Sequence, residues 1–169
     1  PPGDAPLYTT PYFRSFGIAS GMPSSRVYKT VQDRDGYLWF GTQDGLARYD
    51  GVAFKVWRHD PKNPASLGGD VVSALFVDRE NRLWCGAEES GLNLLDTRRG
   101  AFVHYRHDEG DPASLASDDV WAIAQDGTGT IWVGSYAGGV DRLAPAATGF
   151  VHFRHDPASP RSLASDNVI

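Results

Sequence analysis

Short apolar stretches alternate with short polar punctuation along almost the whole chain. Val27–Gln32 and its later counterparts, Val72–Val77 and Val120–Gln125, are rich in apolar residues without clean alternation, the pattern of a strand covered on both faces. A tight turn built around Asp and Gly or Asn follows each of them. A second strand then carries a tryptophan with a glycine two residues later. After a short loop, a third strand is predicted over Leu46–Tyr49, Leu92–Leu95 and Val140–Leu143. A fourth holds an aromatic pair: Phe54 and Trp57, Phe102 and Tyr105, Phe150 and Phe153. These pairs are spaced by three rather than two. That departs from strand alternation and predicts a bulge or strong twist in the fourth strand, as an outer edge uses to discourage pairing.

This four-strand pattern occurs three times. Trp39, Trp84 and Trp132 are 45 and 48 residues apart, each followed by a glycine at Gly41, Gly86 and Gly134. The match extends through Arg58-His59-Asp60, Arg106-His107-Asp108 and Arg154-His155-Asp156 to linkers ending in Ser66-Leu67, Ser114-Leu115 and Ser162-Leu163. A repeat of this length with a tryptophan and paired glycines specifies a β-propeller, each unit being one four-stranded antiparallel blade. The repeated indoles are expected between blades, and the glycines where a neighbouring strand comes close.

The fold class is therefore all-β, with blades over approximately 25–60, 70–108 and 118–156, an N-terminal extension at 1–12, and the start of a further blade at 164–169. Three blades do not close a ring, which takes about four to eight. Phe13-Arg14-Ser15-Phe16 matches Phe54-Lys55-Val56-Trp57, so an outer strand of another blade is expected there. The reading is an incomplete ring of three blades with partial blades at both ends, part of a longer chain. Open blade faces predict self-association.

Composition removes several functional classes. The chain has 169 residues and a formal net charge of −5, without a dense basic block, so a nucleic-acid partner is not expected. No apolar run approaches the ~20 residues of a membrane-spanning helix. Pro1-Pro2-Gly3-Asp4-Ala5-Pro6 reads as a mature start from which a signal peptide has been removed. Cys85 is the only cysteine and takes the place of Phe40 and Val133, a buried and unreactive slot. No cofactor or metal motif is present in the sequence.

The stretch Gly21-Met22-Pro23-Ser24-Ser25-Arg26-Val27, then Gln32-Asp33-Arg34-Asp35-Gly36-Tyr37-Leu38-Trp39-Phe40-Gly41-Thr42 and Gly45-Leu46-Ala47-Arg48-Tyr49-Asp50, resembles the two-component regulator propeller repeat. The later copies are similar, and the resemblance runs from Tyr12 onward. It implies the periplasmic sensor region of an inner-membrane bacterial receptor whose output is a histidine kinase, hybrid kinase or diguanylate cyclase. It also implies small-molecule ligands, carbohydrate fragments among them. The implied function is a non-catalytic, ligand-binding sensor module. Alternatives are a propeller enzyme of lyase or glycosidase type, or a protein–protein interaction scaffold.

Repetition separates scaffold from candidate site. The Asp33-Arg34-Asp35-Gly36 turn resembles the Asp-box of sialidases, but its copies suit a turn that satisfies backbone groups. The thrice-repeated Arg-His-Asp reads likewise as scaffold, with the Asp capping a turn. Function is expected where copies differ, at one mouth of the channel. The second-to-third-strand loops there supply Asp44, Glu88, Glu89 and Tyr136, and the approaches to the first strand supply Arg26, Asp70, Asp118 and Asp119. Tyr136 could stack on a sugar ring, and the acids and Arg26 could bind hydroxyls. Trp121, where other copies have Tyr28 and Ser73, lines either channel or core. The candidate ligand-binding set is Arg26, Asp44, Glu88, Glu89, Trp121 and Tyr136, with no catalytic or metal residues.

Overall fold

A computed structural model describes residues 13–169. The expected extension at 1–12 lies outside the described residues. Twelve strands form three antiparallel four-stranded sheets, each a simple meander in chain order. Blade one comprises β1 (Val27–Gln32), β2 (Leu38–Thr42), β3 (Gly45–Tyr49) and β4 (Phe54–Trp57). Blade two comprises β5 (Val72–Val77), β6 (Leu83–Ala87), β7 (Gly91–Asp96) and β8 (Ala101–Tyr105). Blade three comprises β9 (Val120–Gln125), β10 (Ile131–Ser135), β11 (Gly139–Leu143) and β12 (Val151–Phe153). The sheets stack face to face, with inner strands β1, β5 and β9 side by side. The architecture is all-β with propeller blades, and among the described residues they do not close into a ring.

The expected bulge is in a different strand. Pairing of β3 with β4 is unbroken from Leu46↔Trp57 to Tyr49↔Phe54, and the equivalent pairs in blades two and three are equally regular. A spacing of three places the two aromatics on opposite faces of one blade. Phe102 joins the core between blades one and two, whereas Tyr105 packs beside Trp84 and meets the edge of Phe150 in blade three. Each fourth strand thus contributes one ring backward and one forward. The register shifts lie in the inner strands instead, where Tyr28, Ser73 and Trp121 are the extra residues. One of these places is stabilised visibly: the Ser73 hydroxyl donates to the Val120 carbonyl of the next inner strand (2.7 Å).

Phe13–Phe16 forms no strand among the described residues, because no neighbouring strand offers it a ladder. Its last ring still behaves as a fourth-strand aromatic. Phe16 meets Phe54 edge-on at 5.8 Å, as Tyr105 meets Phe150 at 5.8 Å. Residues 164–169 likewise form no strand, but the Asp166 carbonyl accepts from Gly139 N–H, as Asp70 and Asp118 accept from Gly45 and Gly91.

Two apolar cores fill the seams. Trp39, Leu46 and Leu67 meet Leu75, Leu83, Cys85, Leu95 and Phe102 between blades one and two. Trp84, Leu92 and Leu115 meet Val120, Ile131, Val133, Leu143 and Phe150 between blades two and three. Trp39 and Trp84 are 1% and 2% exposed, and Trp132, on the uncovered face of blade three, is only half-buried. The glycine after each tryptophan sets the seam spacing. A Cβ on Gly41 would stand 2.7 Å from the Val72 carbonyl oxygen, and one on Gly86 would stand 2.7 Å from that of Val120. No side chain fits there without moving the next inner strand.

Each indole is tied to the turn that precedes it. The N–H of Trp39, Trp84 and Trp132 donates to Oδ2 of Asp33, Asp78 and Asp126 at 2.7, 2.9 and 2.8 Å. The other carboxylate oxygen, Oδ1, accepts two backbone N–H groups of the turn. The Asp-Gly signature therefore orients the tryptophan as well as closing the hairpin. Burial pushes the Asp78 carboxyl up, but the indole and Arg82 outweigh it and hold it below the usual range. Hydrogen bonds from Thr128 and Trp132 hold Asp126 well below that range.

Candidate functional site

The β1–β2 and β3–β4 turns lie at one end of the blades; the β2–β3 loops and the approaches to the inner strands lie at the other. At this loop end the backbone is braced identically in each blade. The N–H groups of Gln43, Glu88 and Tyr136 donate to the carbonyls of Arg26, Val71 and Asp119 (3.2, 2.9 and 2.9 Å). Glu89 and Ala137 adopt left-handed φ values of 54° and 59° at the tips of their loops. A fixed backbone thus displays side chains that differ from blade to blade.

Four of the predicted residues belong to blades two and three. Glu88 is half-buried, Glu89 is exposed and Tyr136 is 53% exposed beside Asp119. Burial pushes the Glu88 carboxyl up, and the charges of Asp119 and Glu89 push it further. Trp121 follows Asp119 and Val120 into the inner strand. It is half-buried, and its indole N–H is shielded from solvent without a partner among the described residues. Arg26 and Asp44 belong to blade one and are exposed. Asp44 accepts from Arg58 at 3.0 Å in an ion pair half-open to solvent, a pairing worth little in stability. Among the described residues no ion pair joins Arg26 to the acids of blades two and three.

Asp70 and Asp118, read from sequence as acids of the mouth, are clasps. Their Oδ1 atoms accept from the backbone N–H of His59 and His107 at 2.7 Å, just as Asp166 accepts from His155. The histidines are exposed, but Nδ1 of His59, His107 and His155 meets the carbonyl of Leu67, Leu115 and Leu163. Asp60, Asp108 and Asp156 each accept the N–H two residues ahead. The Arg-His-Asp triplet holds the linker between blades. Among the described residues, no group of three His, Cys, Asp or Glu side chains could hold a metal ion. Cys85 is fully buried, and burial pushes its thiol far above its ordinary value, so little thiolate forms.

A second polar device was not foreseen. His104 Nδ1 meets Asn93 Oδ1 and its Nε2 meets the Pro64 carbonyl (2.6 and 3.0 Å). In blade three His152 meets Asp141 Oδ1 and the Pro112 carbonyl (2.5 and 2.9 Å), while Asp141 Oδ2 accepts from Ala116 N–H. Each pair fastens the incoming linker to β7–β8 or β11–β12. The signal was present as a cross-strand Asn/His and Asp/His, but blade one has Ala47 opposite Val56, so it did not stand out as a repeat.

The geometry defines a class: a repeat β-propeller with a uniform scaffold end and a divergent loop end. Residues 21–44 and 114–137 match the family described as two component regulator propeller. The two matched segments, which open blades one and three, are similar to two-component regulator propeller repeats. The extracellular domain of a putative hybrid two component system from B. thetaiotaomicron superposes with a TM-score of 0.81 at 26% identity, over 91% of this chain and 21% of that one. A second such domain from the same organism gives 0.70 at 22% identity, over 90% of this chain and 20% of that one, which speaks for the fold alone. Histidine kinase P4 of Formosa agariphila is 42% identical over 55 residues, covering 32% of this chain and 4% of the kinase. The chain therefore spans about a fifth of the solved domains and a small part of the kinase. Among the described residues no helix is long and apolar enough to cross a membrane.

Proposed function

We propose that this chain contributes blades to the periplasmic, ligand-sensing propeller of a bacterial signal-transduction receptor and performs no catalysis itself. The observation that carries the reading is its likeness, across nine-tenths of its length, to the extracellular domain of a putative hybrid two component system. The loop end supports the recognition part of the proposal. There Glu88, Glu89, Trp121 and Tyr136, with Arg26 and Asp44 on blade one, vary on a backbone that is braced the same way in each blade. Carboxylates accept hydrogen bonds from ligand hydroxyls, and the exposed Tyr136 ring offers a stacking face. The ligand class is a small polyhydroxylated molecule such as a carbohydrate fragment.

The test is a thermal-shift and titration screen of oligosaccharide fragments against the chain and against Tyr136→Ala and Glu88→Gln. A fragment that binds the parent chain and is weakened by both substitutions supports the reading. Turnover of such a fragment, or binding indifferent to both substitutions, would refute it. The open faces, with half-buried Trp132 and exposed Phe153 on blade three, also support self-association. A monomer mass by light scattering at high concentration would rule that out.

A further inference from the structure

Each seam between blades opens a cleft at the turn end, built from equivalent positions and differing in chemistry. The cleft between blades two and three is lined by Arg82, Trp84, Leu94, Ile131, Leu143 and Pro145, among others. Its one cation is satisfied: Arg82 donates to Asp78 at 2.6 Å and to Glu80 at 3.3 Å. The cleft between blades one and two holds about 190 Å³ and is lined by Tyr37, Trp39, Arg48, Leu83, Asn81 and Thr97, with Asp33, Asp35 and Val77 beside them.

Arg48 stands in β3 opposite Trp39, the place that Leu94 holds opposite Trp84. Its guanidinium lies 4.2 Å over the Tyr37 ring and 5.6 Å from that of Trp39. Its Nε is shielded from solvent and has no hydrogen-bond partner among the described residues. Among the described residues no carboxylate comes within ion-pair distance of it. The nearby acids are engaged elsewhere. Asp33 accepts from two backbone N–H groups and the Trp39 indole, and Asp35 Oδ2 accepts from Asn81 Nδ2 at 3.0 Å.

We propose that this seam cleft binds a small planar carboxylate, with the carboxylate on Arg48 and the body of the molecule against Tyr37 and Val77. A guanidinium stacked on aromatic rings keeps its fork of donors for a coplanar carboxylate. Around Arg48 the lining mixes the apolar groups of Tyr37 and Val77 with Asn81, Thr97 and the already engaged Asp33 and Asp35, a lining that leaves the guanidinium to orient a small organic ligand. The site lies at the opposite end of the blades from the loops assigned to sensing, so its test is independent of that assignment.

Sodium benzoate is the probe, followed by amide NMR of the chain at constant ionic strength, with benzamide as the neutral isostere. Benzoate is expected to give saturable shifts at Tyr37, Asn81 and Thr97, and benzamide to bind at least about tenfold more weakly, as loss of a charge-assisted pair requires. Arg48→Leu, which installs the residue blade two uses at this place, is expected to abolish the shifts. Arg48→Lys keeps the charge without the fork and is expected to weaken them several-fold. No saturable shift with benzoate, equal binding of benzamide, or undiminished binding by whichever Arg48 variant folds would overturn the proposal.

Discussion

The two ends of the blades are built on opposite principles. At the turn end the same carboxylate accepts the same indole in all three blades, and its second oxygen closes the same turn. At the loop end the backbone is braced identically, but its side chains change from Gln43-Asp44 to Glu88-Glu89 to Tyr136-Ala137. A repeat protein must stack each unit on the next, so groups that make the stack recur. Recognition needs particular chemistry at one place, so under the proposed function it is sought where the repeat breaks. Damage at the turn end should therefore cost stability, and damage at the loop end should cost little.

The largest expected effect is at the buried indole. Trp84→Ala should lose about 3–5 kcal/mol, as for other large buried aromatics, seen as a lower midpoint in urea or thermal unfolding. Trp84→Phe keeps most of the ring but removes one of the two side-chain donors to the buried Asp78 Oδ2, leaving Arg82, and should lose roughly 1.5–3 kcal/mol, as for a hydrogen bond to a charged group. Gly86→Ala comes next. Its new Cβ would press on the Val120 carbonyl, and overpacking of this kind costs about 1–3 kcal/mol.

A smaller effect separates blades two and three by pH. Burial depresses the His152 imidazolium, but the Asp141 carboxylate and the Pro112 carbonyl outweigh burial and raise its pKa above the ordinary 6.5; Arg154 opposes them. The stabilisation it provides is thus complete below that ordinary value and fades as pH rises through the raised folded value. His104, opposite neutral Asn93, is depressed chiefly by burial. Its contribution is complete above the ordinary value and fades as pH falls through the depressed one. NMR titration of the two imidazoles should show His152 titrating above His104, and Asp141→Asn should bring His152 down toward His104. Equal values in the parent chain would show that Asp141 does not govern the pair.

The smallest effect is expected at the loop end. Tyr136→Ala should stay within about 0.5 kcal/mol of the parent chain. Glu88→Gln should be neutral to slightly stabilising at pH 7, because it removes a carboxylate whose ionisation burial, Asp119 and Glu89 resist. Since the folded Glu88 pKa is raised, any benefit of the substitution should vanish as pH falls below the carboxylate range. Urea unfolding at two pH values tests this.

Much of the scaffold was legible in the sequence because the repeat wrote it three times. The tryptophan, its glycine and the Asp-Gly turn specify the strand order and the seam. Repetition also marks Asp70, Asp118 and Asp166 as backbone clasps; they misled only when read as mouth acids one blade at a time. The bulge was misplaced because a spacing of three between Phe54 and Trp57 looks the same, along one strand, whether the strand bulges or aims a ring at each neighbour. Only the seams decide between these. The Asp141–His152 pair and the Arg48 cleft were not legible for a related reason. Each depends on what a neighbouring linker or blade brings to it, and neither is shared by all three copies.

The most direct test of the account is the difference in thermal unfolding midpoint between Asp78→Ala and Glu89→Ala in the same chain. Asp78 is the buried turn carboxylate that holds Trp84, and Glu89 is an exposed acid at the divergent end. The account predicts a fall of several degrees for Asp78→Ala, since about 1 kcal/mol corresponds to roughly 2–4 °C at this size, and almost none for Glu89→Ala. Equal falls, or a larger one for Glu89→Ala, would contradict the division between a repeated end that holds the blades and a divergent end that is free to recognise.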